Sequence, residues 1–186
     1  MTDPGEKERR YWEAEQMLRR ALSQDPAMRD INGESFYAIL GGLYKRQNRT
    51  DDAIEAYTQA EMVTPQNSYP IFNLATLYYM SGNLEQAKPY YERSAAISSR
   101  MLDNNPFDFW RRFDLSAAQL VLGNLEQAKR QFNLAVPYVP GVGPFESFLR
   151  DLEQLKNAPT PPRGIDDLVA LVRNAIEQVR SKSAAI

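Results

Sequence analysis

The sequence contains neither cysteine nor histidine. Without cysteine there is no thiol nucleophile and no disulfide. Without histidine there is no imidazole general base, and the usual zinc ligand sets are lost. The missing cysteine also leaves the redox compartment open. No glycine-rich phosphate loop is present. No apolar run approaches the ~18 residues of a membrane span, and residues 1–10 are polar and charged, unlike a signal peptide. A cytoplasmic location is therefore the default expectation. Net charge is -2 over 186 residues, which implies neither a general field for nucleic acid nor an acidic tail. Acidic residues fall mostly at helix-surface spacing, and Asp51-Asp52 reads as a helix start. No catalytic, cofactor-binding or metal-binding residue is expected.

What the chain does contain is enough apolar material for a core, 43% of residues, and an internal repeat. The heptapeptide Gly82-Asn83-Leu84-Glu85-Gln86-Ala87-Lys88 recurs unchanged at residues 123–129. Around it, Ala53, Tyr57, Ala60 and Pro65 align with Ala87, Tyr91, Ser94 and Ser99, and with Ala128, Phe132, Ala135 and Pro140. Upstream of each copy lies an apolar helix. Tyr37, Leu40, Gly41 and Tyr44 mark the first, Ile71, Leu74, Ala75 and Tyr78 the second, and Leu115, Ser116 and Gln119 the third. Arg112 stands in the large-aromatic slot of the third. Ala14, Leu18, Ala21 and Pro26 repeat the second-helix spacing without a first helix before them.

These residues resemble the tetratricopeptide repeat family, whose signature is W-x2-L-G-x2-Y, then A-x3-F, then P. The resemblance implies an all-α fold, a helical-hairpin solenoid wound as a right-handed superhelix, closed by a capping helix and followed by a C-terminal helix. The expected array covers residues 1–157: a half-repeat at 6–26, repeats at 34–67, 68–108 and 109–142, and a capping helix at 143–156. Gly41 and Ala87 are expected where two helices touch. Asn48, Gly82-Asn83 and Gly123-Asn124 suit the corners. Asn105-Pro106 reads as an N-cap with proline in the first turn. The last repeat interval exceeds the family period by about seven residues, close to two helical turns, and residues 101–108 are the candidate extension. Pro89 should kink its helix mildly or delay its start. Arg9, Arg10, Arg19 and Arg20 read as surface partners of Glu6, Glu8, Glu13 and Glu15.

The resemblance also implies a concave, peptide-binding face on the first helices. Its residues would be Ile39 and Lys45 in the first repeat, with Ser35, Ala38 and Gly42 beside them. The second repeat would add Tyr69, Phe72, Asn73, Thr76, Tyr79 and Met80. The third would add Trp110, Phe113 and Asp114, flanked by Ala117, Leu120 and Val121. Ala38 and Gly42 occupy slots where a carboxylate clamp would need Lys and Asn, so no such clamp is expected. So apolar a face should be covered by a partner or by the chain itself.

Residues 158–164, with Pro159, Pro161 and Pro162, read as a stiff extended linker. In the C-terminal helix, residues 165–186, Ile165, Leu168, Val169, Val172, Ile176 and Val179 form one apolar stripe. Asp166 and Asp167 suit its first turn and Arg180 and Lys182 its last. The stripe is expected to dock, on the chain's own array in preference to a partner, in the groove or near Phe145 and Phe148. The functional expectation is a protein-interaction scaffold or assembly adaptor with a protein or peptide partner and no nucleic acid. Two rival readings stand beside it: self-association through the open N-terminal half-repeat or the C-terminal helix, and a non-catalytic accessory subunit.

Overall fold

Three corners of the chain adopt the left-handed backbone conformation: Asn48 at φ 58°, Gly82 at φ 77° and Gly123 at φ 84°. Glycine takes this region without a Cβ clash, and asparagine tolerates it better than most residues. Each corner ends one helix and lets the next run back beside it. The computed structural model describes residues 4–184. Among them are α1 (Pro4–Gln24), α2 (Phe36–Arg46), α3 (Thr50–Val63), α4 (Ser68–Met80), α5 (Leu84–Asn104), α6 (Phe109–Val121), α7 (Leu125–Ala135), α8 (Val142–Lys156) and α9 (Ile165–Ala184). A 3-10 turn, Val136–Tyr138, follows α7. The described residues form no strand, only an isolated antiparallel bridge between Arg29 and Ser35. None of their helices is long and apolar enough to cross a membrane. Contacts divide the chain into two units, Met1–Leu74 and Ala75–Ile186.

The first unit is built on the α2–α3 hairpin. Ser35 caps α2, its side chain accepting from the Tyr37 amide. Asp51 and Asp52 lie in the first turn of α3, where acids favour the helix dipole. Ala53, Tyr57 and Ala60 are fully buried. Gly41 lies against the Tyr57 ring so closely that a Cβ there would fall 2.9 Å from two ring carbons.

α1 covers this hairpin from one side only. Its Ala14, Leu18 and Ala21, the counterparts of Ala53, Tyr57 and Ala60, are only half-buried. Beside the buried Leu22, a polar contact ties α1 down. Glu15 is 9% exposed, not the surface acid its spacing suggests. Its carboxylate accepts from Arg49 Nη1 at 2.7 Å, Arg19 Nε at 2.9 Å and Tyr44 Oη at 3.0 Å. Arg49 also donates to Asp52 at 2.6 Å and lies over the Tyr44 ring, 4.2 Å from its centroid.

Burial pushes the Glu15 carboxyl up, but the hydrogen bonds from Arg49, Tyr44 and Arg19 outweigh it and hold the group below the ordinary carboxylate range. A depressed acid stabilises the fold fully above its unfolded pKa, and that contribution is lost as pH falls through the folded value. Amides of α1 should therefore lose exchange protection on acidification below about pH 4. Glu15→Gln should flatten that pH dependence. Protection of α1 that stays unchanged down to about pH 2.5, well below the ordinary carboxylate range, would contradict the assigned role of Glu15.

In the second unit α5 is the long helix, 21 residues against 14 in α3 and 11 in α7. The extra turns at this junction thus lengthen α5 alone. The helix starts on time, with Asn83 accepting from the Gln86 amide. It runs through Pro89, whose missing N–H leaves the Glu85 carbonyl without its intrahelical donor. Asn105 closes α5 through a bond from its amide to the Met101 carbonyl. It does not cap the next helix, as the Asn-Pro pair suggested. Asp108 does so instead, accepting from the Arg111 amide.

Arg112, in the large-aromatic slot, replaces packing with hydrogen bonds. It reaches the Pro106 carbonyl at 2.8 and 3.0 Å and Gln131 Oε1 at 2.9 Å. The α6–α7 hairpin is closed inside by Ser116 Oγ, which donates to the Ala128 carbonyl.

α8 and α9 also form a hairpin. Lys156 with Asp166, Glu153 with Arg173 and Glu146 with Arg180 are ion pairs whose order shows the two helices to be antiparallel. These pairs are exposed and contribute little each. The hold comes from apolar burial: Phe145, Phe148, Leu152 and Leu155 of α8, and Ile165, Leu168, Val169, Val172 and Ile176 of α9, are buried. Val179 is half-buried. Lys129 of α7 adds a bond to Asp167 at 2.9 Å. The side chain of Lys182 and residues 185–186 lie outside those described.

Candidate protein-binding surfaces

In the first unit the first-helix side carries a cleft of about 280 Å³ lined by Asp30, Glu34, Ile39, Gly42, Arg46 and Tyr69. Its acidic wall is a tight loop. Asp30 Oδ1 accepts from the amides of Asn32 and Glu34, and Glu34 accepts from Asn67 Nδ2 at 2.8 Å. The floor stays open because Gly42 has no side chain: a Cβ there would fall 3.2 Å from Tyr69 Oη. Beside the cleft, Lys45 Nζ donates to Asn73 Oδ1 at 3.1 Å, and Asn73 Nδ2 donates to the Tyr69 carbonyl. Ile39, Lys45 and Tyr69 are thus brought together, each half-buried.

Other residues of the expected groove lie inside. Phe72, Asn73, Thr76 and Tyr79 are buried, and Phe113 is 2% exposed. The register explains this. Ala38, Phe72 and Phe113 all follow the large-residue slot, and all three are buried. A first helix flanked by helices on both sides keeps only a narrow open stripe. Thr76 accepts from Tyr91 Oη at 3.1 Å. Phe113 stacks on Phe148 with centroids 4.5 Å apart and planes 7° from parallel. Trp110 is 48% exposed. Asp114 lies 3.8 Å from Arg111, and Met80 is half-buried.

Tyr79 is covered by the α8–α9 connection. Its hydroxyl donates to the Thr160 carbonyl at 2.5 Å. Its ring meets Tyr91 edge-on at 6.1 Å. Burial pushes its phenol pKa up. The connection bends through residues 158–160 and then runs through Pro161 and Pro162 without regular structure.

A second concavity, about 650 Å³, lies on the second-helix side between α5, α6 and α7, lined by Lys88, Glu92, Ser99, Gln119, Gln127 and Gln131 among others. The expected groove did not include it. The signal available was the run of amide side chains at helical spacing on α7.

A tetratricopeptide repeat family model matches residues 44–96. TPR repeat-containing protein MJ1428 of Methanocaldococcus jannaschii is 33% identical over 69 residues, which is 37% of this chain and 12% of that protein. The match thus spans only a small part of that relative. Among solved structures, MamA superposes with a TM-score of 0.52 at 17% identity, over 100% of this chain and 99% of that one. The thermophilic TPR protein TTC0263 of Thermus thermophilus gives 0.52 at 16% identity, over 88% and 90%. These likenesses concern the fold. Residues 44–96 thus carry tetratricopeptide-type repeats, and the chain shares the all-helical fold of these repeat proteins.

Proposed function

We propose that this protein is a non-catalytic interaction scaffold that holds a partner peptide on the first-helix side of its first unit. The observation that carries the reading is the cleft lined by Ile39, Gly42 and Tyr69 together with the charged Asp30, Glu34 and Arg46. Its apolar floor suits one inserted side chain, and its charged walls suit the polar main chain on either side. A cleft of this kind, with an apolar anchor point and a polar rim, is how peptide sites concentrate binding energy. Neither histidine nor cysteine is available in the sequence for nucleophilic or imidazole acid–base chemistry.

Ile39→Glu tests the proposal. Ile39 is half-buried, so the helix should tolerate the change. The introduced carboxylate would put a charge among the apolar lining of the cleft, which also holds Asp30, Glu34 and Arg46. Affinity purification from the native cell, quantified by mass spectrometry, should show the partner depleted at least tenfold, as about 1.4 kcal/mol of lost binding requires. Circular dichroism should be unchanged. The same partners recovered in the same amounts would refute the assignment of this cleft.

A further inference from the structure

The α8–α9 connection, residues 157–164, is longer than hairpin closure needs. The α2–α3, α4–α5 and α6–α7 corners each take three residues. The surplus is laid on the end of α4. We propose that this corner, residues 79–82, is a second peptide site, that its ligand class is a non-helical, proline-bearing peptide, and that residues 158–162 are its built-in occupant. The proposal rests on the reading of the chain as a peptide-holding scaffold but places a different site under self-control.

Three observations support it. Tyr79 donates to the Thr160 main-chain carbonyl, so the contact reads backbone and accepts any chain presenting a carbonyl there. The Pro159 ring lies beside Gly82: a Cβ at that position would make ordinary contact with Pro159 Cγ, at 3.8 Å. The occupant is lightly held, since only Ala158 and Pro162 of residues 158–162 are buried. Prolines suit such a ligand because their fixed φ reduces the ordering cost of an irregular peptide. Aromatic side chains beside proline-rich backbone are a recurrent recognition mode.

A tethered occupant competes at an effective concentration on the order of millimolar. A free peptide should therefore bind the intact chain weakly. The test uses the full chain and a fluorescein-labelled peptide with the sequence of residues 157–163, read by anisotropy. The strap variant Pro159→Ser, Pro161→Ser, Pro162→Ser keeps the connection's length. It should bind the peptide at least tenfold tighter than the parent. Adding Tyr79→Phe should weaken that binding by about fivefold, the loss of one neutral hydrogen bond.

If the strap variant released α9, seen as lost exchange protection over residues 165–180, the intact chain supplies the second measurement. Millimolar peptide should shift the Met80 and Thr160 methyl resonances and leave the Ile39 methyls unmoved. Equal affinity of parent and strap variant with α9 still docked would overturn the proposal. So would peptide-induced shifts at Ile39 in place of Met80. Ile39→Glu should leave this peptide's affinity unchanged. The first-cleft reading can therefore fail while this one stands, and the reverse.

Discussion

Gly41→Leu should unfold the α2–α3 hairpin or bring it close to unfolding. The position sits mid-helix, where alanine ordinarily outperforms glycine by ~0.5–1 kcal/mol. Here a bare Cβ already falls 2.9 Å from Cγ and Cδ1 of Tyr57 and 3.0 Å from Cδ2. The ring cannot retreat, because Tyr57 is fully buried and packs edge-on against Tyr69. Overpacking costs ~1–3 kcal/mol in tolerant cores, and leucine at this contact should reach the top of that range or pass it. Gly41→Ala is the finer test, because helix propensity and packing predict opposite signs. Packing should win, and the melting temperature should fall. Thermal denaturation followed by circular dichroism reads both variants, with hydrogen exchange of α2 and α3 to place the loss. An alanine variant that melts higher than the parent would show that the contact relaxes easily.

Phe113→Ala should be the most costly single truncation in the second unit. The ring joins three helices: it stacks on Phe148 of α8 at 4.5 Å and on Phe132 of α7 at 5.9 Å, and meets Phe145 at 5.9 Å. Truncating a buried phenylalanine typically costs ~3–5 kcal/mol. The damage should spread, because α9 lies on α8 and α8 on this cluster. Exchange protection of α9 should fall along with that of α6 and α7. Trp110→Ala, one turn away and half exposed, should cost only about 0.5–1.5 kcal/mol, the order of an aromatic pair. Equal destabilisation by the two substitutions would place Phe113 outside the core.

That contrast shows where sequence reasoning stops. The fold class was legible because its signals are local and repeated: the recurring heptapeptide, Asn48 and the glycines at the corners, and the alanine anchors. Helical spacing could not tell Phe113 from Trp110. Both fall near one stripe, and only the helices on either side decide which part of it remains open. Glu15 was read as a surface partner of Arg19 because that spacing is the commonest ion-pair geometry on a helix. Its other partners, Tyr44 and Arg49, come from beyond the next helix start. Asn105 is ambiguous for a local reason, since asparagine serves either end of a helix. The apolar stripe of α9 could be read from its period. That its neighbour is α8 depends on apolar burial shared by residues far apart in the chain, from Phe145 to Leu155 on α8 and from Ile165 to Ile176 on α9.

The repeated heptapeptide has one more consequence. Its second copy meets the C-terminal segment: Lys129 bonds Asp167, and a Cβ on Gly164 would fall 2.7 Å from Leu125. In the first copy Leu84 is exposed and Lys88 lies 3.9 Å from Glu92 of its own helix. The same spelling thus stands in two settings: the α8–α9 connection crosses the first copy at Gly82, and the start of α9 bonds the second at Lys129. The side chains within the heptapeptide cannot make that distinction. The neighbours of each copy supply an address that the duplicated letters leave degenerate.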